Sequence, residues 1–395
     1  MPESKHAPKF VVLDFFRGLL ALWVAACHLR GCTLVDFSSL NNPNWFHKKF
    51  YFFTGLGGES VICFFVLSGF FVGGSILKKG KGFKFDEYLV LRLNRLWVPL
   101  IPNLVLTLIV SLIIDRFYPD VLTGKYQYLW HTGPSPQSIY SHSLVRFLEN
   151  VFFLQGIVST EFGVNCVLWS LAYEFWSYMV FPCFFIFFGG RRGLDGRAKK
   201  CFIGILGCTM FYFVFKKWFV GFFVWLIGVA TFYAASRYSQ KPNWILFLGS
   251  VAIWLGVLGC GKTLNSQRTI LIDYNLIVGL SFAIVCWLSS NLSVSTVIGI
   301  GRVFKKSAEL FSNISYSLYL NHFLFVLMLA SMSYRQTKSQ PDLVGMLTFL
   351  IQLSLIVAIS YGLWFLFERN TYKARDYILK NLSRRGNALK SPQSF

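Results

Sequence analysis

Charge is scarce in this sequence. Lysine, arginine, aspartate and glutamate supply 14% of its 395 residues, against roughly 25% in a soluble domain. No polar stretch is long enough to build a separate soluble domain. Acidic residues are the scarcest, with 17 Asp and Glu against 38 Lys and Arg and a formal net charge of +21. That excess invites a nucleic-acid partner. The positive residues, however, sit in short loops beside apolar runs, where they set membrane orientation, so no nucleic acid is expected. The nine cysteines are odd in number and none form a CxxC pair, which argues against a disulfide framework and a zinc site. No metal is expected, and Cys27, Cys63, Cys166, Cys208 and Cys286 read as small hydrophobes inside apolar runs. Walker and dinucleotide glycine patterns are absent, as is any fixed-period repeat. The N-terminus MPESKHAPKF has no apolar core followed by a small-residue cleavage site, so no removable signal peptide is read.

Apolar length fills the rest. The chain is 55% hydrophobic and holds 43 Phe, and apolar runs of about 20 residues recur from end to end. The fold class expected is an all-α polytopic membrane protein with about ten transmembrane helices. The spans fall near 10–31, 57–77, 93–114, 166–188, 201–215, 218–235, 244–260, 271–290, 310–331 and 343–367. Pro99 and Pro102 stand in the first turns of the third. Glycine pairs at Gly57-Gly58 and Gly73-Gly74 bracket the second and would let helices approach closely. The basic loops after 77 and after 188 should share the cytoplasmic side. That parity holds only if the short apolar stretch 145–158 does not cross, so it reads as a re-entrant or interfacial segment. Lys and Arg then favour the inside by roughly two to one, with both termini cytoplasmic. Residues 1–368 form the membrane domain, with membrane lipid as its surroundings, and 369–395 a basic tail that frays.

Ionisable residues inside lipid are costly and mark functional sites. The first span, VVLDFFRGLLALWVAACHL, carries three. Asp14 and Arg17 are spaced to pair on one helix surface. His28 returns to nearly the Arg17 face, displaced by about 16 Å along the axis. After the second span, RLNRLWVP puts Arg92 and Arg95 on one face, suited to a phosphate by their planar forks. In NCVLWSLAYEFWSYMVFP, Glu174 stands about two turns into hydrocarbon, with Trp169 and Ser170 one turn before it. The ninth span opens FSNISYSLYLNHFLFV, where Ser315, Tyr319 and His322 share a side and Ser317 adds a hydroxyl. Near the end of the tenth span, Glu368 and Arg375 read as surface partners.

In order and together, LDFFRGLLALWVAACH, GGESVICFFVLSGF, RLNRLWVP, NCVLWSLAYEFWSYMVFP and ISYSLYLNH resemble the acyltransferase-3 family of membrane O-acyltransferases, which modify bacterial surface glycans and some other acceptors. The resemblance covers about residues 11–330. It implies acetyl-CoA or another acyl-CoA as cytoplasmic co-substrate, with no tightly bound cofactor, and a glycan or lipid-linked glycan as acceptor in a bacterial inner membrane. It implies Arg17 and His28 as essential, and Arg92 and Arg95 as a donor-binding element, which Asp14 joins as the neighbour of Arg17. The physical reading adds His28 as general base with Glu174 orienting or charging it, and Trp169, Ser170, Ser315, Ser317, Tyr319 and His322 as candidates for the acceptor cavity. A transporter or flippase would also bury charge in ten helices, but such folds usually show an internal repeat.

Overall fold

A computed structural model describes residues 10–137, 140–188, 197–238, 243–266, 273–290, 292 and 301–388. Residues 189–196 of the basic loop expected after 188, the first nine residues and 389–395 lie outside the described residues. The protein is helical throughout: α1 Val11–Thr33, α2 Trp45–Phe53, α3 Gly57–Ser68, α4 Gly74–Lys79, α5 Phe85–Phe117, α6 Pro119–Leu122, α7 Gln127–Trp130, α8 Leu144–Val151, α9 Trp169–Phe187, α10 Arg197–Phe215, α11 Phe219–Arg237, α12 Trp244–Ser266, α13 Tyr274–Ser289, α14 Gly301–Ser333, α15 Leu343–Leu366 and α16 Thr371–Ala388. Among the described residues nine helices are long and apolar enough to cross a membrane, and α13 is a shorter apolar one. Each expected span has its helix. The chain is an all-α polytopic membrane protein.

Several boundaries differ from those the apolar runs suggested. Helix α5 starts at Phe85, so Pro99 and Pro102 are interior rather than in its first turns. A proline frees a backbone carbonyl, and packed neighbours in a bundle can satisfy it. Helix α14 starts at Gly301 and includes Lys305, Lys306 and Glu309, so the polar stretch Ser315–His322 lies mid-helix. The tail expected to fray continues as α16, and the Asn94 side chain holds its first carbonyl, Thr371 O, at 2.9 Å.

The 145–158 stretch, expected to be re-entrant or interfacial, holds only a short helix. Its helix α8 has 8 residues, too short to span. The chain then runs back along α5. Trp97 Nε1 donates to Val151 O at 2.9 Å, and Val164 N donates to Ser111 Oγ at 3.2 Å. Trp97 and Ser111 lie about 21 Å apart along the helix axis. The end of the segment is fixed by Asn165, whose amide donates to Asn103 Oδ1, Thr107 Oγ1 and Leu320 O.

Helix α1 is the centre of the bundle and packs chiefly on α14. Leu13, Leu20, Ala21, Ala25 and Leu29 are fully buried there. Gly18 lets the two backbones meet, since a Cβ on it would stand 2.3 Å from Phe311 Cβ. The second span continues past Ser68 through a π-helical turn, Gly69–Gly73. This turn seats against α11. A Cβ on Gly69 would stand 1.9 Å from Trp225 O, and one on Gly228 2.0 Å from Val66 O. Of the two glycine pairs read from the sequence, Gly57, Gly73 and Gly74 are close-packed, while Gly58 faces open space. Gly228→Leu should therefore force the turn off α11 and cost about 1–3 kcal/mol or more, as overpacking does. Thermal unfolding of the purified protein checks this; a melting temperature equal to wild type would show that the turn can move freely.

At the end of the bundle remote from Lys78 and Lys79, the connections are tied together. Val35 N donates to Ser339 O at 3.0 Å, and Ser339 N to Thr33 O at 2.8 Å. Trp130 Nε1 donates to Tyr334 O at 2.9 Å, and His131 meets Asp36 at 2.8 Å. Lys338 lies 3.8 Å from the same Asp36 with its side chain 3% exposed. Burial lowers the pKa of its ammonium, and Asp36 partly offsets that.

Candidate functional site

Three arginines converge on one cavity of about 200 Å³ inside the bundle. Arg17 reaches it from α1, and Arg92 and Arg95 from successive turns of one face of α5. Ser68 and Phe71 line it from the second span, Glu174 and Tyr178 from α9, and Ser315, Tyr316 and Tyr319 from α14.

Each cation has a different degree of freedom. Arg17 lies 3.5 Å from Asp14, as the spacing predicted, and donates to Ser312 Oγ at 3.3 Å. Ser312 in turn donates to Asp14 at 3.0 Å, so Asp14 is absorbed in orienting Arg17. Arg95 is ion-paired to Glu368 at 2.8 Å. Arg92 forms no ion pair among the described residues. Its guanidinium stands 5.4 Å over the Tyr88 ring, and its buried Nε has no hydrogen-bond partner among the described residues.

The pairing of Glu368 with Arg375 is not found. Glu368 is 2% exposed, and besides Arg95 it accepts from the backbone N and the Oγ of Ser317, at 3.1 and 2.6 Å. Arg375 pairs with its neighbour Asp376 at 2.8 Å. Sequence spacing favoured a nearby partner; the turn Glu368–Asn370 after α15 instead folds the carboxylate back under α14. Ser317, expected in the acceptor cavity, is thereby committed to Glu368 and does not line the cavity.

Glu174 ends a directed hydrogen-bond chain. Tyr178 OH donates to it at 2.5 Å. The Tyr178 proton being used, the Ser68 hydroxyl must donate to the phenol oxygen at 3.0 Å, and Ser68 accepts from Trp225 Nε1 at 3.1 Å. Glu174 is thus oriented within the arginine cavity and makes no hydrogen bond to His28, so the expected pairing of these two is not present. Tyr178 was legible, one helical turn from Glu174, but the sequence alone did not distinguish it from the other aromatics of that helix. Trp169 packs among Tyr173 and Trp218, outside the cavity.

The far end of the cavity is closed by Ser170 and Tyr319, whose hydroxyls lie 2.5 Å apart. Beyond Tyr319 stand two imidazoles. The His322 ring centroid is 5.9 Å from that of Tyr319 and 5.4 Å from that of His28. His28 is half-buried, with Nδ1 3.0 Å from Thr132 Oγ1 and its ring edge-on to Phe323. Thr132 comes from the long connection between α5 and α9, and no sequence signal marked it. The order along α1 is therefore cations at one end and imidazoles about 16 Å further on. Among the described residues no group of His, Cys, Asp and Glu is placed to hold a metal ion.

The sequence model of one family, described as an acyltransferase domain, matches residues 10–368, which is nearly the whole chain. The protein belongs to this acyltransferase-3 family and is a membrane acyltransferase. No curated protein and no solved structure matches it.

Proposed function

We propose that the protein moves an acyl group, acetyl in the first instance, from acyl-CoA to a hydroxyl of a surface glycan or its lipid-linked precursor. The observation that carries this reading is the convergence of Arg17, Arg92 and Arg95 on one cavity, with Arg92 unpaired with any carboxylate of the described residues. Phosphates favour guanidinium forks. A cavity of about 200 Å³ is too small for a whole nucleotide, so the nucleotide rests at the mouth and the pantetheine arm enters. The arm runs along α1 past Glu174 to the Ser170–Tyr319 closure, which must open for the thioester to reach His28.

There His28 acts as general base on the acceptor hydroxyl. The oxygen attacks the thioester carbonyl, the C–S bond breaks, and the proton taken by His28 passes to the leaving sulfur. Glu174, held by Tyr178, lies beside the arm and fixes its course. The arginine end faces the cytoplasm, as donor supply requires, in a bacterial inner membrane with both chain ends on that side.

The test is direct. Purified full-length protein in detergent is given labelled acetyl-CoA and a membrane extract as acceptor source, and free CoA is measured. An acyltransferase of this kind releases CoA above the protein-free control and labels a glycan fraction. A protein that binds or carries the label without releasing CoA would refute the reading.

A further inference from the structure

His322 is a titratable side chain that the reaction as written leaves unused. It is fully buried. Its Nδ1 lies 3.0 Å from Leu318 O and 2.8 Å from Tyr319 O. Carbonyl oxygens only accept, so Nδ1 carries the hydrogen and Nε2 of the neutral ring carries a lone pair. With Nδ1 turned to its own helix backbone, Nε2 faces away from α14. That Nε2 is buried and has no hydrogen-bond partner among the described residues. An unmet buried acceptor costs free energy and calls for an explanation. The nearby titratable ring is His28, whose plane is tilted 33° to that of His322. Tyr319, on the same helix, keeps its hydroxyl on Ser170, and Phe323 is apolar.

The geometry points to His322 as a positioning residue for His28: its backbone-locked tautomer holds an unmet Nε2 lone pair beside the His28 ring, which takes the His28 Nε2–H once the two rings close to hydrogen-bond distance and leaves His28 Nδ1 as the basic nitrogen. This rests on the reading of His28 as the base. Nδ1 then faces a hydroxyl, that of Thr132 at 3.0 Å, which occupies the place an acceptor hydroxyl takes. On reaction the acceptor O–H bond breaks and an Nδ1–H bond forms. The oxygen adds to the thioester carbon, the sulfur leaves with its electron pair, and Nδ1 returns the proton to it. His322 gains and loses no proton. It accepts a hydrogen bond from the imidazolium, which tightens as charge develops.

Two measurements test this on the full-length protein. The first is spectroscopic. Nitrogen-15 histidine labelling, with long-range ring correlations assigned by His28→Asn and His322→Gln, reads the tautomers. The expected result is Nδ1–H for His322 and Nε2–H for His28. Finding Nε2–H on His322 or Nδ1–H on His28 overturns the proposal. The second is kinetic, with acetyl-CoA as the probe and CoA release as the signal. His322→Phe should lower kcat by about 10–10²-fold, the worth of one hydrogen bond from a charged donor, with KM for acetyl-CoA unchanged. His322→Gln, whose side-chain oxygen can accept the same N–H, should recover most of the loss. A packing role predicts the reverse order, with Phe the better tolerated, and that order would overturn the proposal. Should the wild-type protein release no CoA at all, the acyltransfer reading fails, while the tautomer measurement still decides the pairing.

Discussion

His28→Ala should lower the rate of acyl transfer by about 10²–10⁴-fold, the usual loss on removing a general base, and leave acyl-CoA affinity close to wild type. The two effects separate because the imidazole and the arginines stand at different depths on α1. The substitution removes the hydrogen bond to Thr132 and ring contacts with His322 and Phe323. Losing one such bond costs about 1 kcal/mol, which a bundle of this size tolerates, so expression and insertion should survive. Transfer rate and acyl-CoA Kd on the purified variant are the measurements. A variant that binds donor normally and transfers at near the wild-type rate would make His28 a packing residue, and the base would be sought at His322.

Arg92→Ala and Arg95→Ala should fail in different ways. On the proposed reading both remove a contact to the donor phosphates, and together they should weaken donor binding more than the chemical step. Arg95→Ala also strands Glu368, whose side chain is 1% exposed. Removing one partner of a buried pair costs about 3–5 kcal/mol. The 42% exposure of the Arg95 side chain places the effect at or below the bottom of that range, since water screens the pair. The Arg95→Ala protein should thus lose both melting temperature and acyl-CoA affinity. Adding Glu368→Gln should restore the melting temperature, because the amide oxygen can still accept from Ser317, and should not restore affinity. Arg92→Ala, which breaks no ion pair among the described residues, should lose affinity alone. Equal Kd in wild type and the double alanine variant would remove these arginines from donor binding.

The span count was legible because apolar runs of membrane length leave few alternatives, and parity of the basic loops argued that 145–158 does not cross. Helix starts were less legible. Apolar length stops at charge, whereas α5 and α14 continue through Asp86, Glu87, Lys305 and Lys306, residues that a helix extending beyond hydrocarbon can keep in water. The Asp14–Arg17 pair followed from i,i+3 spacing. Spacing put Arg92 and Arg95 on one face of a helix, while their meeting with Arg17 in one cavity depends on how α1 and α5 pack. Contacts set by long-range folding were not legible. Glu368 has a basic neighbour seven residues on, yet it pairs with Arg95, far back in the chain. Thr132 sits in a polar connection with nothing to mark it, and Asn103, Asn165 and Asn321 join three separate segments. Local spacing predicts partners on one helix and says little about which helices meet.

The ties between the two connections at the end remote from Lys78 bear on how the molecule exchanges hydrogen with water. Residues 34–44 and 334–342 are short polar linkers, where backbone amides ordinarily exchange fast. Val35 and Ser339 are different, because Val35 donates to Ser339 O in the other connection and Ser339 donates to Thr33 O at the end of α1, in the manner of a paired strand. In deuterated buffer these two amides should exchange far more slowly than Ser38 or Gln336 nearby. They should open only when α1 and α14 come apart, which makes them reporters for separation of the two central helices.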